Sequence, residues 1–480
     1  MNWMIRFLLL AVFSLSTISG KAQSPYTTEQ YSYRTEFDIP YGTSINYAGN
    51  PVDVYLNLYK PVGDQNTHRP LIVLVHGGAW IAGNRNDNDI QLLAPRFVSR
   101  GYVVASVSYR LGFHPNPNGG SNTATCTAVT QQGNCVYPAD TNEVIRAIYR
   151  GMQDVKGAIR FLKGRANLDS VCAENVYLAG VSAGGFNSLA AAFLDTPEEK
   201  PYSAGALSDA PGPSNPLAYC HDYFNPVGAS ISRTRPDLGD IEGTIALNGH
   251  TSQVKGMANF YGGMLGNLFE QSAGEEPLLY LFHQTTDVVV DCNTTPIMAP
   301  LSYNCLDPFG FLGCAHVWNM PWASGSCSIA QKAANVSNPL TVFNAIVQNG
   351  GPNCLQDPAG HSILGPAARV SEITEFFSDR IVAIEQSNCE EPLLSKSAYL
   401  AEIRVFPNPA DNFIQISSPK SIQSIKTRDS QGRMMQLDVD FSSKQVKLNT
   451  SELAPGWYFS QILLDDGSSR FVRWMRVMGN

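Results

Sequence analysis

Residues 180–184 read Gly-Val-Ser-Ala-Gly and carry the clearest chemical pattern in the chain. They follow an apolar run at 175–179 that is typical of a buried strand, and they precede an alanine-rich stretch, from Gly185, that is typical of a helix. A sharp strand-to-helix turn holds a side chain clear of a sheet, and glycines fit it because a Cβ would crowd the turn. The pattern therefore predicts that Ser182 is a nucleophile.

Residues 76–80, His-Gly-Gly-Ala-Trp, follow another apolar run of the kind that forms a buried strand. When a serine attacks an ester, a negatively charged oxygen forms, and backbone N–H groups aimed at that oxygen stabilise it. Small residues allow such a loop to approach the substrate closely. We predict that the amides of Gly78, Ala79 and Ala183 are these donors. His76 is expected to shape the turn rather than to catalyse.

A serine hydroxyl becomes a good nucleophile when a histidine takes its proton, and an acid must orient that histidine. Of the eight histidines, His361 is the preferred base because it lies in a loop after every predicted strand of the sheet. His316, in a cysteine-rich stretch, is the alternative. Asp287 is the preferred acid because it follows the apolar run at 278–282, and Asp291 is its alternative.

Strand-like and helix-like segments alternate around these residues. Runs typical of strands lie at 34–40, 52–60, 71–75, 102–108, 175–179, 257–261 and 278–282. Stretches typical of helices lie at 142–165, 185–194, 340–347 and 367–384. Strands that alternate with helices form a parallel sheet covered on both faces, and the leading strands are expected to be antiparallel. We therefore predict an α/β fold with a mixed, mostly parallel, doubly wound sheet.

The composition excludes several classes of function. The chain has 480 residues, of which 44% are hydrophobic and 15% charged, which suits two folded domains. Its 33 basic and 41 acidic residues give a net charge of −8, so we expect no nucleic acid partner. The ten cysteines include no pair with the spacing of a zinc site, so we predict no metal.

The N-terminus has the form of a signal peptide over residues 1–22, with Arg6, an apolar run at 7–18 and small residues before the cleavage site. The run is too short to span a bilayer, and no later stretch is apolar enough, so we predict no transmembrane segment. Export places the cysteines in an oxidising environment, where disulfides persist. Cys126 and Cys135 are the easiest pair to close, and the other pairings stay open.

The pattern of the sequence changes after Cys389, beyond which there is no cysteine. Short alternating runs separated by turn signals, such as the Pro-Gly pair at 455–456, replace the helical spacing. We predict a catalytic α/β domain over 24–389. A linker over 390–402 and a small β-sandwich over 403–480 are expected to follow it.

The stretch at 84–89 reads Asn-Arg-Asn-Asp-Asn-Asp, and its oxygens could in principle hold calcium. It lacks the glycine and the distal glutamate of a known calcium loop. A solvated turn is therefore the favoured interpretation.

Residues 35–385 resemble the α/β-hydrolase superfamily, in particular secreted bacterial carboxylesterases and lipases with an HGGxW oxyanion loop and a GxSAGG elbow. The resemblance implies that Ser182, Asp287 and His361 form a catalytic triad, and that esters are hydrolysed through an acyl-enzyme without a cofactor. Gln284 stands where these relatives usually have a glycine after the histidine.

The segments at 405–410, 429–433 and 453–458 are similar to the type A sorting domain of the Bacteroidetes type IX secretion system. This resemblance implies export, passage across the outer membrane by the type IX secretion machinery, and a secreted or cell-surface location. A carbohydrate-binding sandwich that uses Trp457 and Tyr458 is the alternative.

The sequence as a whole predicts a secreted serine carboxylic-ester hydrolase whose substrate is a small-molecule or polymer ester. A serine peptidase of the same fold is one alternative, since the same residues can cleave amides. A surface binding protein with an inactive site is the other alternative.

Overall fold

The computed structural model describes residues 25–114, 138, 140–207, 234–266, 276–301, 320–336, 338–349, 360–385, 389, 404–406, 410–418, 420–429, 433–465 and 469–477. Several predictions fall outside these residues, namely the signal peptide at 1–22, the linker at 390–402, the Cys126–Cys135 pair and the alternative base His316. The chain divides into a larger unit, Met1–Ala246 with Gln253–Glu390, and a smaller unit, Glu391–Asn480 with Leu247–Ser252.

An eight-stranded sheet forms the centre of the larger unit. Its strands are β1 (Ser32–Ile45), β2 (Pro51–Val62), β3 (Arg69–Val75), β4 (Val103–Val107), β5 (Val171–Val181), β6 (Gly256–Phe260), β7 (Leu278–Gln284) and β10 (Val342–Val347). The order across the sheet is β1-β2-β4-β3-β5-β6-β7-β10. The β1–β2 and β2–β4 pairs are antiparallel and the others are parallel, which confirms the predicted mixed, mostly parallel sheet. A separate ribbon pairs β8 (Thr294–Pro296) with β9 (Trp322–Ser324).

Helices cover both faces of this sheet. Those of nine or more residues in the described part of the chain are α1 (Asn88–Val98), α2 (Thr141–Lys163), α3 (Ala183–Phe193), α4 (Ser326–Ala334) and α5 (Pro366–Glu385). Alternate residues of β3 point to opposite faces, so Val73 joins one hydrophobic core with α2, α3 and α4, and Ile72 joins another with α1 and α5. The predicted doubly wound arrangement is therefore confirmed.

The prediction of a helix at 340–347 was wrong, because these residues contain the edge strand β10. Phe343 pairs with Tyr280 of β7, and the two rings stack at 5.4 Å. Val342, Ile346 and Val347 are β-branched residues that suit a pleated surface. The three- and four-residue spacing of this short run fits a helix and a strand equally well, and pairing with β7 decides between them.

Within the described residues, two disulfides join separate parts of the larger unit. Cys172 bonds to Cys389, and Cys292 bonds to Cys327. Every cysteine in the described part of the chain is therefore paired, which confirms the predicted use of disulfides. Among the described helices, none is long and apolar enough to cross a membrane.

The smaller unit consists of two four-stranded antiparallel sheets. One contains β11 (Arg404–Phe406), β12 (Phe413–Ser417), β15 (Val439–Ser442) and β16 (Gln445–Asn449), and the other contains β13 (Ile422–Asp429), β14 (Met434–Met435), β17 (Gly456–Leu464) and β18 (Ser469–Arg476). Ile414 and Val446 from the first sheet share one core with Ile462 and Trp474 from the second, which confirms the predicted small β-sandwich. Tyr458 stacks on Trp474 inside this core at 4.9 Å.

A buried ion pair joins the long helix α2 to the end of β4. The Asp154 carboxylate accepts hydrogen bonds from the backbone N–H of Arg110 at 2.7 Å and from its Nε at 2.9 Å, and the pair is closed to solvent. The guanidinium also donates to the carbonyl oxygens of Ile45 and Arg150. Because the carboxylate compensates a buried charge, its removal leaves that charge unpaired.

We expect the Asp154→Ala substitution to lower the free energy of unfolding of the larger unit by about 3–5 kcal/mol, the loss typical of a buried pair with one partner removed. Urea unfolding followed by circular dichroism at 222 nm measures this change, since the described helices lie in this unit. The control is Glu174→Ala, which removes the partly exposed pair with Lys255 and should change the same energy by less than about 1 kcal/mol. Equal effects in the two variants would contradict the argument.

Candidate active site

Ser182 stands at the junction between β5 and α3. Val181 is the last residue of the strand and Ala183 is the first residue of the helix. Ser182 has φ 51° and ψ −121°, in the left-handed half of conformational space that non-glycine residues rarely enter. Its backbone N–H donates to the carbonyl oxygen of Phe260 at the end of β6, which holds the turn in place.

Glycines flank Ser182 because backbone segments pack directly against one another there. A Cβ on Gly184 would lie 2.2 Å from the carbonyl oxygen of Val75, the last residue of β3. A Cβ on Gly180 would lie 2.3 Å from the carbonyl oxygen of Gly184. The start of α3 therefore rests on the end of β3, and only glycine leaves room for this contact.

Two consecutive hydrogen bonds connect the three predicted triad residues. His361 Nε2 lies 2.7 Å from Ser182 Oγ, and His361 Nδ1 lies 2.8 Å from Asp287 Oδ2. Because an ionised carboxylate can only accept, Nδ1 carries the ring proton and Nε2 is left to accept from the serine hydroxyl. The alternative acid, Asp291, instead accepts hydrogen bonds from Asn293, its neighbour in the loop.

The Asp287 carboxylate is fully buried and well supplied with donors. Its Oδ1 accepts from the amides of Val289 at 2.8 Å and Val290 at 3.0 Å, and its Oδ2 lies 3.3 Å from His283 Nε2. Burial raises the pKa of Asp287, but the charge of His361 and hydrogen bonds from His283 and His361 outweigh it and lower the pKa to about 2. The carboxylate is therefore ionised at neutral pH.

The loop after β3 runs beside Ser182 in a strained conformation. A Cβ on Gly77 would lie 3.1 Å from the Cβ of Ser182, so the two segments are in close contact. Gly78, Ala79 and Trp80 have consecutive positive φ angles of 106°, 50° and 61°. Two of these residues are not glycine, and such backbone strain persists only where the surrounding structure holds it.

The predicted oxyanion donors lie on the two segments that meet at Ser182. Gly78 and Ala79 belong to the strained loop, and the carbonyl oxygen of Gly78 accepts the amides of Ile81 and Ala82, which closes the turn. Ala183 is the first residue of α3, where a helix has no intrahelical partner for an amide.

Trp80 holds the strained loop against α3, a contact that the sequence analysis missed. Its indole Nε1 donates to Asn187 Oδ1 at 3.0 Å, and its ring packs edge-on against Phe186 at 5.3 Å. Asn187 is fully buried, and a Cβ on Gly151 of α2 would lie 2.4 Å from its Nδ2. The signal in the sequence was an amide side chain within an apolar helix.

His76 is fully buried beside the same loop, and it forms no hydrogen bond with Ser182, His361 or Asp287. Its Nδ1 lies 2.7 Å from the carbonyl oxygen of Gly77, and its ring stacks on Tyr109 at 4.4 Å. Burial lowers the pKa of His76 to about 4, so its ring is neutral at neutral pH. These contacts agree with a role in shaping the turn.

The stretch at 84–89 leads into α1, which begins at Asn88, and one of its carboxylates contacts a neighbour of His361. Asp87 Oδ1 accepts the amide of Asn84 within the turn. Asp89 Oδ2 accepts the hydroxyl of Tyr261, whose ring packs edge-on against His361 at 4.6 Å. Within the described residues, no group of three or more His, Cys, Asp and Glu side chains is placed to hold a metal ion.

We expect Gly184→Ala to destabilise the larger unit by about 1–3 kcal/mol or more, because the new Cβ would collide with the carbonyl oxygens of Val75 and His76. Thermal and urea unfolding measure this loss. Gly63→Asn is the matched control, since Gly63 has open space around it and asparagine tolerates its positive φ of 86°. If both variants lose the same stability, steric contact at the elbow does not explain the glycine.

The lowered pKa of Asp287 predicts a stability change in acid. The pKa of Asp287 in the folded chain, about 2, lies below the usual aspartate value of 3.8, so the stabilisation is nearly complete above pH 4 and is lost as the pH falls towards 2. We expect the difference in unfolding free energy between the wild type and Asp287→Asn to shrink by about 2 kcal/mol over this range. Urea unfolding at several pH values measures it. Ser182→Ala keeps the carboxylate, so its unfolding free energy should follow that of the wild type. A difference between the wild type and Asp287→Asn that stays constant with pH would contradict the prediction.

Two family models match separate parts of the chain. Residues 56–117, which include the strained loop after β3, match the family described as BD-FAE. Residues 404–472 match the family described as a secretion system C-terminal sorting domain. The second match confirms the predicted sorting domain and indicates a secreted or cell-surface location.

Two curated relatives are similar to this chain, one over a short segment and one over a longer segment at lower identity. Gut esterase 1 of Caenorhabditis elegans is 36% identical over 68 residues, which is 14% of this chain and 12% of that protein. The neuroligin-like protein glit-1 of Caenorhabditis elegans is 26% identical over 217 residues, which is 45% of this chain. The chain thus spans 12% and 23% of the lengths of these two relatives.

A solved structure described as a truncated form of carbohydrate esterase from gut microbiota is also similar. It is 14% identical, with a TM-score of 0.36, over 75% of this chain and 100% of that one. The strand order and the strand-to-helix turn at Ser182 agree with the predicted α/β fold, residues 56–117 of the larger unit match BD-FAE, and residues 404–472 match a secretion system C-terminal sorting domain.

Proposed function

We propose that this protein is a secreted serine carboxylic-ester hydrolase that acts through an acyl-enzyme. The observation that carries the proposal is the hydrogen-bond chain from Ser182 through His361 to Asp287. A hydroxyl, an imidazole and an ionised carboxylate in this order are the arrangement that activates a serine for attack on a carbonyl.

Acylation begins when Ser182 Oγ attacks the ester carbonyl and His361 Nε2 takes the hydroxyl proton. The carbonyl oxygen becomes negatively charged, and the amides of Gly78, Ala79 and Ala183 stabilise it. One such donor contributes about 2.7–4 kcal/mol to the stability of a comparable transition state. The tetrahedral intermediate then collapses, the carbon–oxygen bond to the alcohol breaks, and the imidazolium gives its proton to the departing alcohol.

Deacylation repeats these steps with water as the nucleophile. His361 Nε2 takes a proton from water, and the resulting hydroxide attacks the acyl carbonyl. Collapse releases the carboxylic acid and returns the proton to Ser182 Oγ. Throughout, Asp287 keeps the ring proton on Nδ1 and stabilises the imidazolium, for which its low pKa suits it. The protonation states at the start and at the end of the cycle are the same.

Similarity to esterases supports ester substrates over amides. The BD-FAE match includes the predicted oxyanion loop at 76–80. The relative that is 36% identical over 68 residues is itself named an esterase. The hydrogen bonds that join Ser182, His361 and Asp287 support an active site rather than an inactive binding scaffold. The experiment below distinguishes an esterase from a peptidase and from a binding protein.

The test compares the purified wild-type chain with Ser182→Ala on p-nitrophenyl esters from acetate to palmitate. We expect the wild type to hydrolyse at least one ester and Ser182→Ala to lower kcat by about 10⁴-fold or more, as loss of a nucleophile in a triad does. Ser188→Ala, the same substitution at a buried serine of α3, should keep the wild-type rate. A phosphonate ester should label the wild type and Ser188→Ala by one adduct mass, but not Ser182→Ala.

Three results would overturn the proposal. Equal rates in the wild type and Ser182→Ala would remove this serine from the mechanism. Cleavage of peptide amides without cleavage of esters would indicate a peptidase. Wild-type inactivity on every ester, without labelling by the phosphonate, would indicate a binding protein.

A further inference from the structure

His283 is a fully buried histidine that the proposed mechanism does not use. It lies in β7, four residues before Asp287. Its Nε2 is 2.7 Å from the carbonyl oxygen of Val290 and 3.3 Å from Asp287 Oδ2. Both neighbours are acceptors, so Nε2 carries a proton and donates towards them.

The other ring nitrogen of His283 meets the start of α4. The amide of Ser326 donates to His283 Nδ1 at 3.3 Å, and Ser326 Oγ lies 3.0 Å from the same atom. Because Nδ1 accepts from this amide, the ring has its proton on Nε2. Ser326 thereby fixes the tautomer in which His283 donates towards the acid loop, as an outer hydrogen-bond partner commonly does for a histidine.

The start of α4 is in turn bound to the loop that carries Asp287. The carbonyl oxygen of Cys292 accepts the amides of Cys327 and Ser328, and the two cysteines form a disulfide. A Cβ on Gly325 would lie 1.9 Å from the carbonyl oxygen of Asp291, so backbone packs against backbone here too. The disulfide with its hydrogen bonds and the packing of Gly325 therefore join this loop to the start of α4, which also contacts His283 through Ser326.

We propose that His283 is a positioning residue for the Asp287 carboxylate, and that Ser326 sets the tautomer in which it acts. The proposal rests on the proposed function, in which Asp287 orients His361. His283 Nε2 donates to the carbonyl oxygen of Val290 and lies 3.3 Å from Oδ2, the Asp287 oxygen that accepts from His361. Those two contacts hold the carboxylate plane and the loop backbone in one orientation.

Removal of His283 leaves Asp287 with fewer donors and a freer loop. The amides of Val289 and Val290 still hold Oδ1, so the carboxylate stays in the site, but rotation of its plane is less restricted. His361 is then oriented less well in the transition state, whereas the substrate contacts are unchanged. A hydrogen bond to a charged group lost in this way corresponds to a decrease in kcat of about 10- to 100-fold.

The experiment uses three variants of the full chain and one control. His283→Leu removes the contacts of both ring nitrogens, and His283→Gln keeps an N–H donor near the position of Nε2. Ser326→Ala removes the hydroxyl that contacts Nδ1 but keeps the backbone amide that donates to it. The control Asn175→Leu changes an equally buried polar residue within β5, seven positions before Ser182. Asn175 donates to the carbonyl oxygen of Ile381 and accepts from the hydroxyl of Tyr177. Values of kcat and KM on the best p-nitrophenyl ester, unfolding temperatures and low-field proton NMR spectra are recorded for each.

We expect His283→Leu to lower kcat by about 10- to 100-fold with KM within about twofold of the wild-type value, and to shift or broaden the low-field resonance of the His361 Nδ1 proton. His283→Gln should recover a large part of kcat. Ser326→Ala should fall between His283→Leu and the wild type. Asn175→Leu should lower the unfolding temperature without a change in kcat or in the resonance.

The proposal is overturned by a wild-type kcat and an unchanged resonance in folded His283→Leu. It is also overturned if His283→Gln is no better than His283→Leu, or if Asn175→Leu loses as much kcat, because the effect would then follow stability alone. Failure of the proposed function is a separate result, in which the wild type itself hydrolyses no ester. The resonance still tests the role of His283 in that case, since it reports the contact between His361 and Asp287 without turnover.

Discussion

The site depends on a close contact between backbone segments at the carboxyl end of β5. The backbone N–H of Ser182 donates a hydrogen bond to the carbonyl oxygen of Phe260, which holds Ser182 at its positive φ, and Gly184 allows the first turn of α3 to pack against the end of β3. The same contact places Gly77 beside the serine. A side chain at either glycine would separate Ser182 from the loop that is predicted to stabilise the oxyanion, so the proposed chemistry requires this close packing first.

The parallel sheet supplies the rest of the geometry. In such a sheet the carboxyl ends of the strands lie along one edge, and the loops that follow them can meet. Ser182 follows β5, Asp287 follows β7, and His361 lies between β10 and α5. Ser182 and His361, which are 179 positions apart, therefore come within hydrogen-bond distance. Asp287 is buried at this edge of the sheet. Its hydrogen bonds are stronger there than in water, and an uncompensated charge would cost more.

Local sequence patterns predicted the parts of the site that follow strands directly. Ser182, Asp287 and the loop at 76–80 each come after an apolar run, so their positions could be inferred from the chain alone. The same reasoning failed at 340–347, where a short apolar run fits two kinds of element and only the neighbouring strand selects one. Helix α1 was also missed, because Pro95 and a polar start obscure its apolar stripe.

The contacts that support the site were beyond sequence reasoning for a different reason. Trp80 meets Asn187 across 107 positions and His283 meets Ser326 across 43, and no local pattern encodes a partner at such a distance. Buried polar groups are costly unless they are bonded, so a polar residue in an apolar element is itself a signal that a partner exists. In this chain Asn187 is such a residue in α3, and its partner holds the loop beside Ser182. His283 is another in β7, and it lies against the acid. Polar residues within apolar elements therefore indicate which parts of the fold hold the candidate site in place.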